Sequence, residues 1–304
     1  MKRLTCEMLE KIENNVFATA RPLEIAKWKH LFCGGSKADI ENALICFQNE
    51  DGGFGSGLEI DTVTPESSAL CASEAIKLAQ DYQLDMQATW VKKLLIWLER
   101  SAQESPSFWD LVPPSLEDYP HMPYLKYRPD KQFTPHVCAI FAPALILYGT
   151  SSQRTLGEEI LKRCEWFIKT EQPSWHFEIM FLERMYLELK VANYAFDAPL
   201  FFDYIIKKVN ADLCEDENRW LKFVAMPLDL IQSPAHPWYA GHEVGVEKNI
   251  DYWVETLRED GTWPYKESWD TSTPPLQKIA SNWAGYDAVK KVFLMKKFGA
   301  VDFI

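Results

Sequence analysis

The fold of this chain is decided by a glycine-rich stretch, Gln48-Asn49-Glu50-Asp51-Gly52-Gly53-Phe54-Gly55. Apolar segments precede and follow it, at residues 43–47 and 69–78, so the stretch predicts a sharp corner between two helices. Glycine tolerates the positive φ angles that such a reversal needs, and we expect them at Gly52 and Gly53. Phe54 adds an apolar side chain that can pack between neighbouring helices.

A weaker copy of this corner occurs near the C-terminus. Residues 259–263, Glu-Asp-Gly-Thr-Trp, repeat the order of acidic residue, glycine and aromatic residue, and Trp263 follows Phe54 by 209 positions. Further aromatic corners are predicted at Trp109, Trp175 and Trp220. Recurrence at this spacing is typical of repeated helix pairs.

Two kinds of helical segment alternate along the chain. Segments with one polar face, predicted to face solvent, are 86–102, 153–170, 197–213 and 246–258. Segments predicted to be buried on most sides are 136–148, 176–191, 220–231 and 276–298. We therefore predict an all-α, single-domain fold over residues 1–304. The expected architecture is an α/α toroid of five to six helix pairs with the buried helices as an inner ring.

Charge and composition exclude several partners. The formal net charge of -12 at pH 7 repels nucleic acid and anionic membranes. No run of residues approaches the roughly 18 apolar residues of a membrane span, and the N-terminus predicts an amphipathic helix rather than a signal peptide. Seven cysteines without a Cys-x-x-Cys pair favour reduced thiols. We expect a cytoplasmic protein with neither a membrane span nor a nucleic-acid partner.

The glycine-rich corner also carries a resemblance. Three stretches resemble the repeats of the terpene cyclase and protein prenyltransferase α/α-toroid superfamily. They are the motif Gln48-x-x-Asp51-Gly52-Gly53-Phe54-Gly55, its copy at 259–263 and the continuation at 57–75. The continuation, together with Pro120-His-Met-Pro123 and Pro135-His136, is similar to uncharacterised bacterial stand-alone members with squalene-hopene cyclase-like repeats. The resemblance spans essentially the whole chain. It implies the toroid and a hydrophobic, isoprenoid-like ligand in a central cavity.

The catalytic motifs of that superfamily are absent. There is no DxDD box, to which Glu59-Ile60-Asp61 is the closest match, and no DDxxD box. Asp61 and Cys71 are ten positions apart, too far for the Asp-x-Cys zinc ligands of protein prenyltransferases. The six histidines show no metal-ligand spacing. We predict no metal or cofactor, and the sequence leaves open whether the chain is an enzyme.

The candidate catalytic residues are Glu59, Asp61 and Glu66. One interpretation is structural, because Asp61 and Glu66 can accept backbone N–H groups in the corner and at the start of the next helix. The other is catalytic, because crowded carboxylates raise the pKa of one member and make it a general acid. Asp61 is our preferred acid. A carboxylate pair also suits glycoside hydrolysis.

Five further residues are candidate substrate contacts, namely Tyr124, Tyr127, His136, Trp175 and Trp283. The first two lie in a long proline- and aromatic-rich insert at 109–135, interpreted either as a lid or as a contact with a second copy of the chain, which would make a homo-oligomer. The leading hypothesis is binding of a hydrophobic small molecule, with or without acid-catalysed conversion. The alternatives are a non-enzymatic peptide- or protein-binding scaffold and a carbohydrate-active (α/α)6 enzyme.

Overall fold

The computed structural model describes residues 1–103, 107–129, 133–172, 178–267 and 269–302. Within these ranges the chain forms twelve α-helices and two short 3-10 helices, and its few extended residues pair only in isolated bridges. The α-helices are α1 (Cys6–Thr19), α2 (Pro22–Phe32), α3 (Lys37–Ile45), α4 (Ala69–Asp81), α5 (Thr89–Ser101), α6 (His136–Tyr148), α7 (Ser151–Lys169), α8 (Glu178–Val191), α9 (Ala198–Asp212), α10 (Pro227–Leu230), α11 (Glu243–Glu255) and α12 (Pro274–Lys297). The predicted all-α class is confirmed.

The helices group into two compact units. Unit 1 comprises the described residues of Met1–Ala43, Met122–Tyr124 and Val209–Ile304. Unit 2 comprises those of Leu44–His121 and Leu125–Lys208. The single-domain organisation stays a prediction, and each unit is described on its own below.

In unit 2 the buried helix α6 lies among α4, α7 and α8. Its residues 137–146 are all buried, as expected for a helix that is apolar on every side. Helices α5 and α7 contact one another and each exposes a polar face. The contact between α6 and α7 is close, because a Cβ added at Gly157 would lie 3.0 Å from the Ala142 carbonyl oxygen. The alternation of buried and solvent-facing helices is confirmed in this unit.

Local start signals account for where several helices begin. Ser68 caps α4, its hydroxyl accepting the Cys71 N–H at 3.1 Å. Pro22 occupies the first turn of α2, where its missing N–H has no cost. Thr150 and Gln153 form a reciprocal capping box at the start of α7. The sequence predicts two of these starts, with Pro22 in a first helical turn and Pro65-Glu66-Ser67-Ser68 as a start signal, and both are confirmed.

Unit 1 is built around the 24-residue helix α12, which contacts α1 and α2. The first residues of the chain pair with the last described ones, since the Leu4 N–H donates to Ala300 and the Asp302 N–H donates to Leu4, both at 2.9 Å. Helix α10 packs against α11.

The predicted buried helix at 220–231 is wrong. Only Pro227–Leu230 is helical, and Ala225 instead forms an extended bridge with Leu213. The reason is Pro227, which disfavours helical geometry in the residue before it, and Met226 is accordingly extended, at φ -78° and ψ 158°. The apolar pattern at 228–231 reflects burial of a short turn and its continuation rather than a long helix.

The glycine-rich corner of unit 2 is closed by three hydrogen bonds. The Asn49 N–H donates to the Gly53 carbonyl at 2.9 Å, and the Gly52 N–H donates to the Asn49 carbonyl at 3.0 Å. The Gly53 N–H donates to Asp51 Oδ1 at 2.9 Å. Phe54 is fully buried. The aspartate of the motif therefore serves the turn itself.

The corner in unit 1 has the same three bonds at the same spacing. The Arg258 N–H donates to the Thr262 carbonyl at 2.8 Å, and the Gly261 N–H donates to the Arg258 carbonyl at 3.0 Å. The Thr262 N–H donates to Asp260 Oδ1 at 3.0 Å. Trp263 takes the place of Phe54 and is also buried. The predicted recurrence of this corner is confirmed in its local geometry.

The corner glycines are needed for two different reasons. Gly52 and Gly261 have positive φ angles of 95° and 78°, which favour glycine. Gly53 does not share this backbone conformation, so our expectation of a positive φ there is wrong. It is a steric glycine, because an added Cβ would lie 2.5 Å from the Ser67 Cβ and 2.7 Å from the Trp97 ring.

Corner tryptophans anchor back to the preceding helix through their indole N–H. Trp109 donates to the Leu98 carbonyl at 3.2 Å, and Trp263 donates to the Trp253 carbonyl at 2.7 Å. Trp220 donates to the Cys214 carbonyl at 2.7 Å, just beyond α9. All three indoles are buried with this donor satisfied. Trp175, the remaining predicted corner aromatic, lies outside the described residues.

Candidate functional site

The candidate site lies in unit 2, where residues 57–61 pass the first turns of α4. Glu59 is partly exposed, and the Asp61 N–H lies 3.5 Å from its Oε1 atom. Glu74, on α4, forms an ion pair with Lys77 one turn further along the same helix. Glu59 therefore faces two other carboxylates, Asp61 and Glu74, and one ammonium group, Lys77.

The pKa of Glu59 is raised well above its ordinary value of 4.5. Burial is the largest cause, and the negative charges of Glu74 and then Asp61 add to it. The positive charge of Lys77 opposes the increase without cancelling it. Glu59 thus keeps its proton to a higher pH than an exposed glutamate does, which is the property of a general acid.

Cys71 lies beside Glu59 in the first turn of α4. Its thiol is buried, and burial raises its pKa to about 11. Because only the thiolate is a strong nucleophile or metal ligand, this cysteine is chemically inert at neutral pH.

His136, the first residue of α6, is held neutral. Burial, assisted by the charge of Lys77, lowers its pKa to about 3. Its ring meets the Phe181 ring edge-on, with 4.4 Å between centroids. At neutral pH the imidazole is therefore an uncharged hydrogen-bonding group rather than a cation.

Lys77 links these groups electrostatically and by packing. Its charge acts on both Glu59 and His136, and its Nζ atom lies 5.5 Å above the centre of the Phe181 ring. Helices α4, α6 and α8 thus each contribute to one cluster, which we call the Glu59 cluster and define as Glu59, Asp61, Glu74, Lys77, His136 and Phe181. It combines a carboxyl of raised pKa, a neutral imidazole, an ammonium group and an aromatic ring.

Arg184 fixes α8 against α4 next to the Glu59 cluster. Its guanidinium donates to Asp81 Oδ1 at 2.7 Å and to Gln80 Oε1 at 3.2 Å. Asp81 lies about one turn of α4 after Lys77, so this ion pair joins α8 to the part of α4 that follows Lys77.

Glu66, the third predicted catalytic residue, has another environment. It is exposed and accepts the Ser115 hydroxyl at 2.6 Å, which joins the corner to the 3-10 helix Pro114–Asp118. The carboxylates with the largest effect on Glu59 are Glu74 and Asp61. The structure therefore brings together two of the three predicted carboxylates and adds Glu74.

The predicted substrate contacts are distributed over both units. Tyr127, in unit 2, is partly exposed and donates its hydroxyl to Asp110 at 3.3 Å. Tyr124, in unit 1, is exposed and packs against Phe223 with 6.2 Å between centroids. Trp283 lies on α12 of unit 1, and Trp175 is outside the described residues.

Sequence analysis missed Glu74, Lys77 and Phe181. A signal was present for the first two, because a Glu and a Lys three positions apart stand within an otherwise small and apolar helix. Charges on a helix that is buried on most sides need partners from other elements. No comparable signal marks Phe181, which is one of many apolar residues in α8.

Comparison of the chain with protein-family models, curated proteins and solved structures gave no match. In the described part of the chain, no three His, Cys, Asp or Glu side chains are grouped as a metal site would require. None of the helices described has the length and apolar character that crossing a membrane demands. The absence of a metal or cofactor stays a prediction.

Proposed function

We propose that the protein is an α/α-toroid enzyme that binds a hydrophobic, isoprenoid-like small molecule and converts it by acid catalysis. The observation that carries the proposal is the packing of the Glu59 carboxyl beside Asp61 and Glu74. Burial and neighbouring negative charges raise the pKa of a carboxyl, so that it keeps its proton to a higher pH and can donate that proton to a bound molecule.

The toroid part of the proposal is supported within unit 2 by the order of its helices. Helix α6 contacts both α4 and α8, as successive inner helices of a ring would, while α5 contacts α7 as successive outer helices would. The matching hydrogen bonds of the corners at Gly52 and Gly261 also favour a repeated unit.

We assign the proton donor to Glu59 instead of Asp61. Burial is the largest cause of the raised Glu59 pKa, and Asp61 is one of the charges that add to it. Asp61 and Glu74 therefore favour the protonated form of Glu59. Their role is electrostatic.

The proposed step is protonation of a carbon–carbon double bond. The Glu59 O–H bond breaks and leaves its electron pair on the carboxylate, while the alkene π pair forms a new C–H bond. The resulting carbocation is stabilised by the face of an aromatic ring, and in the Glu59 cluster this is the face of Phe181 turned away from the Lys77 ammonium group. Loss of a proton from the cation to a base such as neutral His136 completes an isomerisation or cyclisation.

The experiment is incubation of the purified full chain with squalene, linear polyprenols and polyprenyl diphosphates, with products separated by gas chromatography and mass spectrometry. We expect product from the wild type and a loss of about 100-fold or more in Glu59→Gln. Glu159→Gln, which changes an exposed glutamate on α7, is the matched control and retains full activity. If the wild type gives no product and shows no ligand-induced thermal shift, the isoprenoid proposal is rejected.

A second candidate function is glycoside hydrolysis. The observation in its favour is the crowding of Glu59, Asp61 and Glu74, since that reaction needs one protonated and one ionised carboxyl. The same variants are therefore assayed with a polysaccharide panel. If the wild type releases reducing sugar and Glu59→Gln does not, the substrate is a carbohydrate instead of an isoprenoid, and Glu59 remains the acid.

A further inference from the structure

Helix α12 of unit 1 carries a second concentration of chemistry that the Glu59 cluster does not use. Along one side of this helix Trp283 and Tyr286 are followed by Asp287, Lys290 and Lys291. Residues from other elements of unit 1 complete the group, namely Lys27 of α2, Asp229 of α10, and Tyr265, Lys266 and Trp269 from the segment before α12.

The aromatic part is a continuous series of ring contacts. Tyr265 and Trp269 have their centroids 5.6 Å apart, Trp269 and Trp283 5.2 Å, and Trp283 and Tyr286 5.1 Å. All four rings are partly exposed. The corner tryptophans of the same unit, Trp220 and Trp263, are instead fully enclosed. Large rings that stay partly exposed present apolar surface to solvent in addition to their contacts with one another.

The charged part contains more cations than carboxylates. Lys290 pairs with Asp229 at 2.8 Å, and Lys291 pairs with Asp287 at 2.9 Å while lying 4.9 Å from the centre of the Trp263 ring. Lys266 donates to the Trp220 carbonyl at 2.7 Å. These five side chains comprise three lysines and two carboxylates, a local positive excess in a chain of net charge -12.

Lys266 bears the electrostatic cost of this arrangement. Burial lowers its pKa, and repulsion from Lys291 and Lys290 lowers it further, against the attraction of Asp229 and Asp287. A buried lysine is more expensive than an apolar residue of similar size unless a negative charge compensates it. An anion beside Lys266 would supply that compensation.

At the opposite end of the aromatic series, Lys27 has a carboxylate partner. Its Nζ atom lies 4.8 Å above the Tyr286 ring and 3.6 Å from Glu24, which also receives two hydrogen bonds from Arg21. Gly285 permits this close approach of α12, since an added Cβ would lie 2.6 Å from the Ala20 Cβ. Lys27 and Arg21 thus share the Glu24 carboxylate, whereas Lys266, among the described residues, donates only to the Trp220 and Lys222 carbonyl oxygens, at 2.7 Å and 3.5 Å, and has no carboxylate within 4 Å.

We propose that Lys266, Trp269, Trp283, Tyr286 and Lys290, together called the α12 cluster, bind an organic anion with an aromatic body. The body lies against Trp269 and Trp283, and the carboxylate or phosphate head group faces Lys266 and Lys290. This proposal does not rest on the activity proposed for Glu59.

The test is isothermal titration calorimetry of the full chain with 2-naphthoate, its neutral match 2-naphthamide, and 2-naphthyl phosphate. We expect saturable binding of at least one anion and weaker binding of the amide by about ten-fold or more. The two anions distinguish a carboxylate site from a phosphate site. Equal affinity for the amide, or no binding of either anion, would overturn the proposal.

Two variants of the α12 cluster test whether the anion binds there, so that the result does not depend on a single substitution. Lys266→Met and Trp283→Leu should each weaken binding of the tighter anion by about ten-fold. The matched controls are Lys248→Met, on the exposed face of α11, and Trp166→Leu, an exposed tryptophan of α7, both of which retain wild-type affinity. Wild-type affinity in Lys266→Met and Trp283→Leu would assign the binding to another place and overturn the proposal.

Discussion

Gly53 and Thr262 occupy equivalent places in two corners that are 209 positions apart in the chain. Each donates its backbone N–H to the aspartate two residues earlier, at 2.9 Å and 3.0 Å respectively. Position 53 has no room for a side chain, whereas position 262 carries the side chain of threonine. The backbone of the turn is repeated, whereas the packing around it is specific to each corner.

Replacing both residues by valine measures this difference. Gly53→Val places a Cβ against Ser67 and Trp97 and should lower the free energy of unfolding by about 3 kcal/mol. Thr262→Val conserves shape and loses mainly the hydroxyl bond to Asp260, a cost of about 1 kcal/mol. Denaturant unfolding of the two variants is the measurement. Equal losses would contradict the steric account of Gly53.

Glu59→Gln should stabilise the protein at alkaline pH. The unfolded chain loses the Glu59 proton near its ordinary pKa of 4.5, and the folded chain loses it only at higher pH. Wild-type stability therefore falls as pH rises between these two values, by up to about 1.4 kcal/mol per pH unit. The variant lacks this loss, so its free energy of unfolding should exceed that of the wild type by more at pH 8 than at pH 5. Unfolding curves at both pH values test this prediction. If the difference in free energy of unfolding between variant and wild type becomes smaller as pH rises, the pKa of Glu59 is not raised.

His136 should weaken the fold on the acid side. Its pKa is about 3 in the folded chain against an ordinary value of 6.5, so below pH 6.5 the unfolded chain takes up a proton that the folded chain does not. Stability is then lost as pH falls from 6.5 towards 3, at about 1.4 kcal/mol per pH unit. In His136→Gln this part of the pH dependence of stability should be absent, whatever the absolute stability of the variant. A pH dependence parallel to the wild type would show that the imidazole is not buried as described.

Lys77→Met should raise the pKa of His136. The ammonium group disfavours protonation of the imidazole, and its removal lifts that effect while burial continues to hold the pKa below 6.5. Titration of the histidine ring by NMR gives the value, with the His136→Gln spectrum supplying the assignment. Lys162→Met, on the exposed face of α7, is the control and leaves the titration unchanged. A fall in the His136 pKa on removal of Lys77 would contradict the proposed cluster.

Much of the fold could be predicted because its signals are local. Ser68 and Pro22 act within one turn of the helices that they start, and the Asp51 and Asp260 turns need only neighbouring residues. The helix predicted at 220–231 fails for an equally local reason, because Pro227 keeps Met226 extended in spite of the apolar residues around it.

The candidate site could be predicted only in part because its chemistry depends on residues distant in sequence. Glu59 and Asp61 were identified by their spacing, but the charge that most raises the Glu59 pKa comes from Glu74 on α4. His136 owes its neutrality to burial and to Lys77, which lies 59 positions before it in the chain. Burial and charge at that distance are products of the packing of α4, α6 and α8 and have no signature in a short motif.

The most direct test of the account is titration of the glutamate carboxyl groups by 13C NMR in the full chain labelled at the glutamate side-chain carboxyl carbon, with Glu59→Gln for assignment. We predict one resonance, absent from the variant, that titrates well above the ordinary pKa of 4.5. If the resonance lost in Glu59→Gln titrates at or below that value, Glu59 is ionised at neutral pH and cannot be the acid.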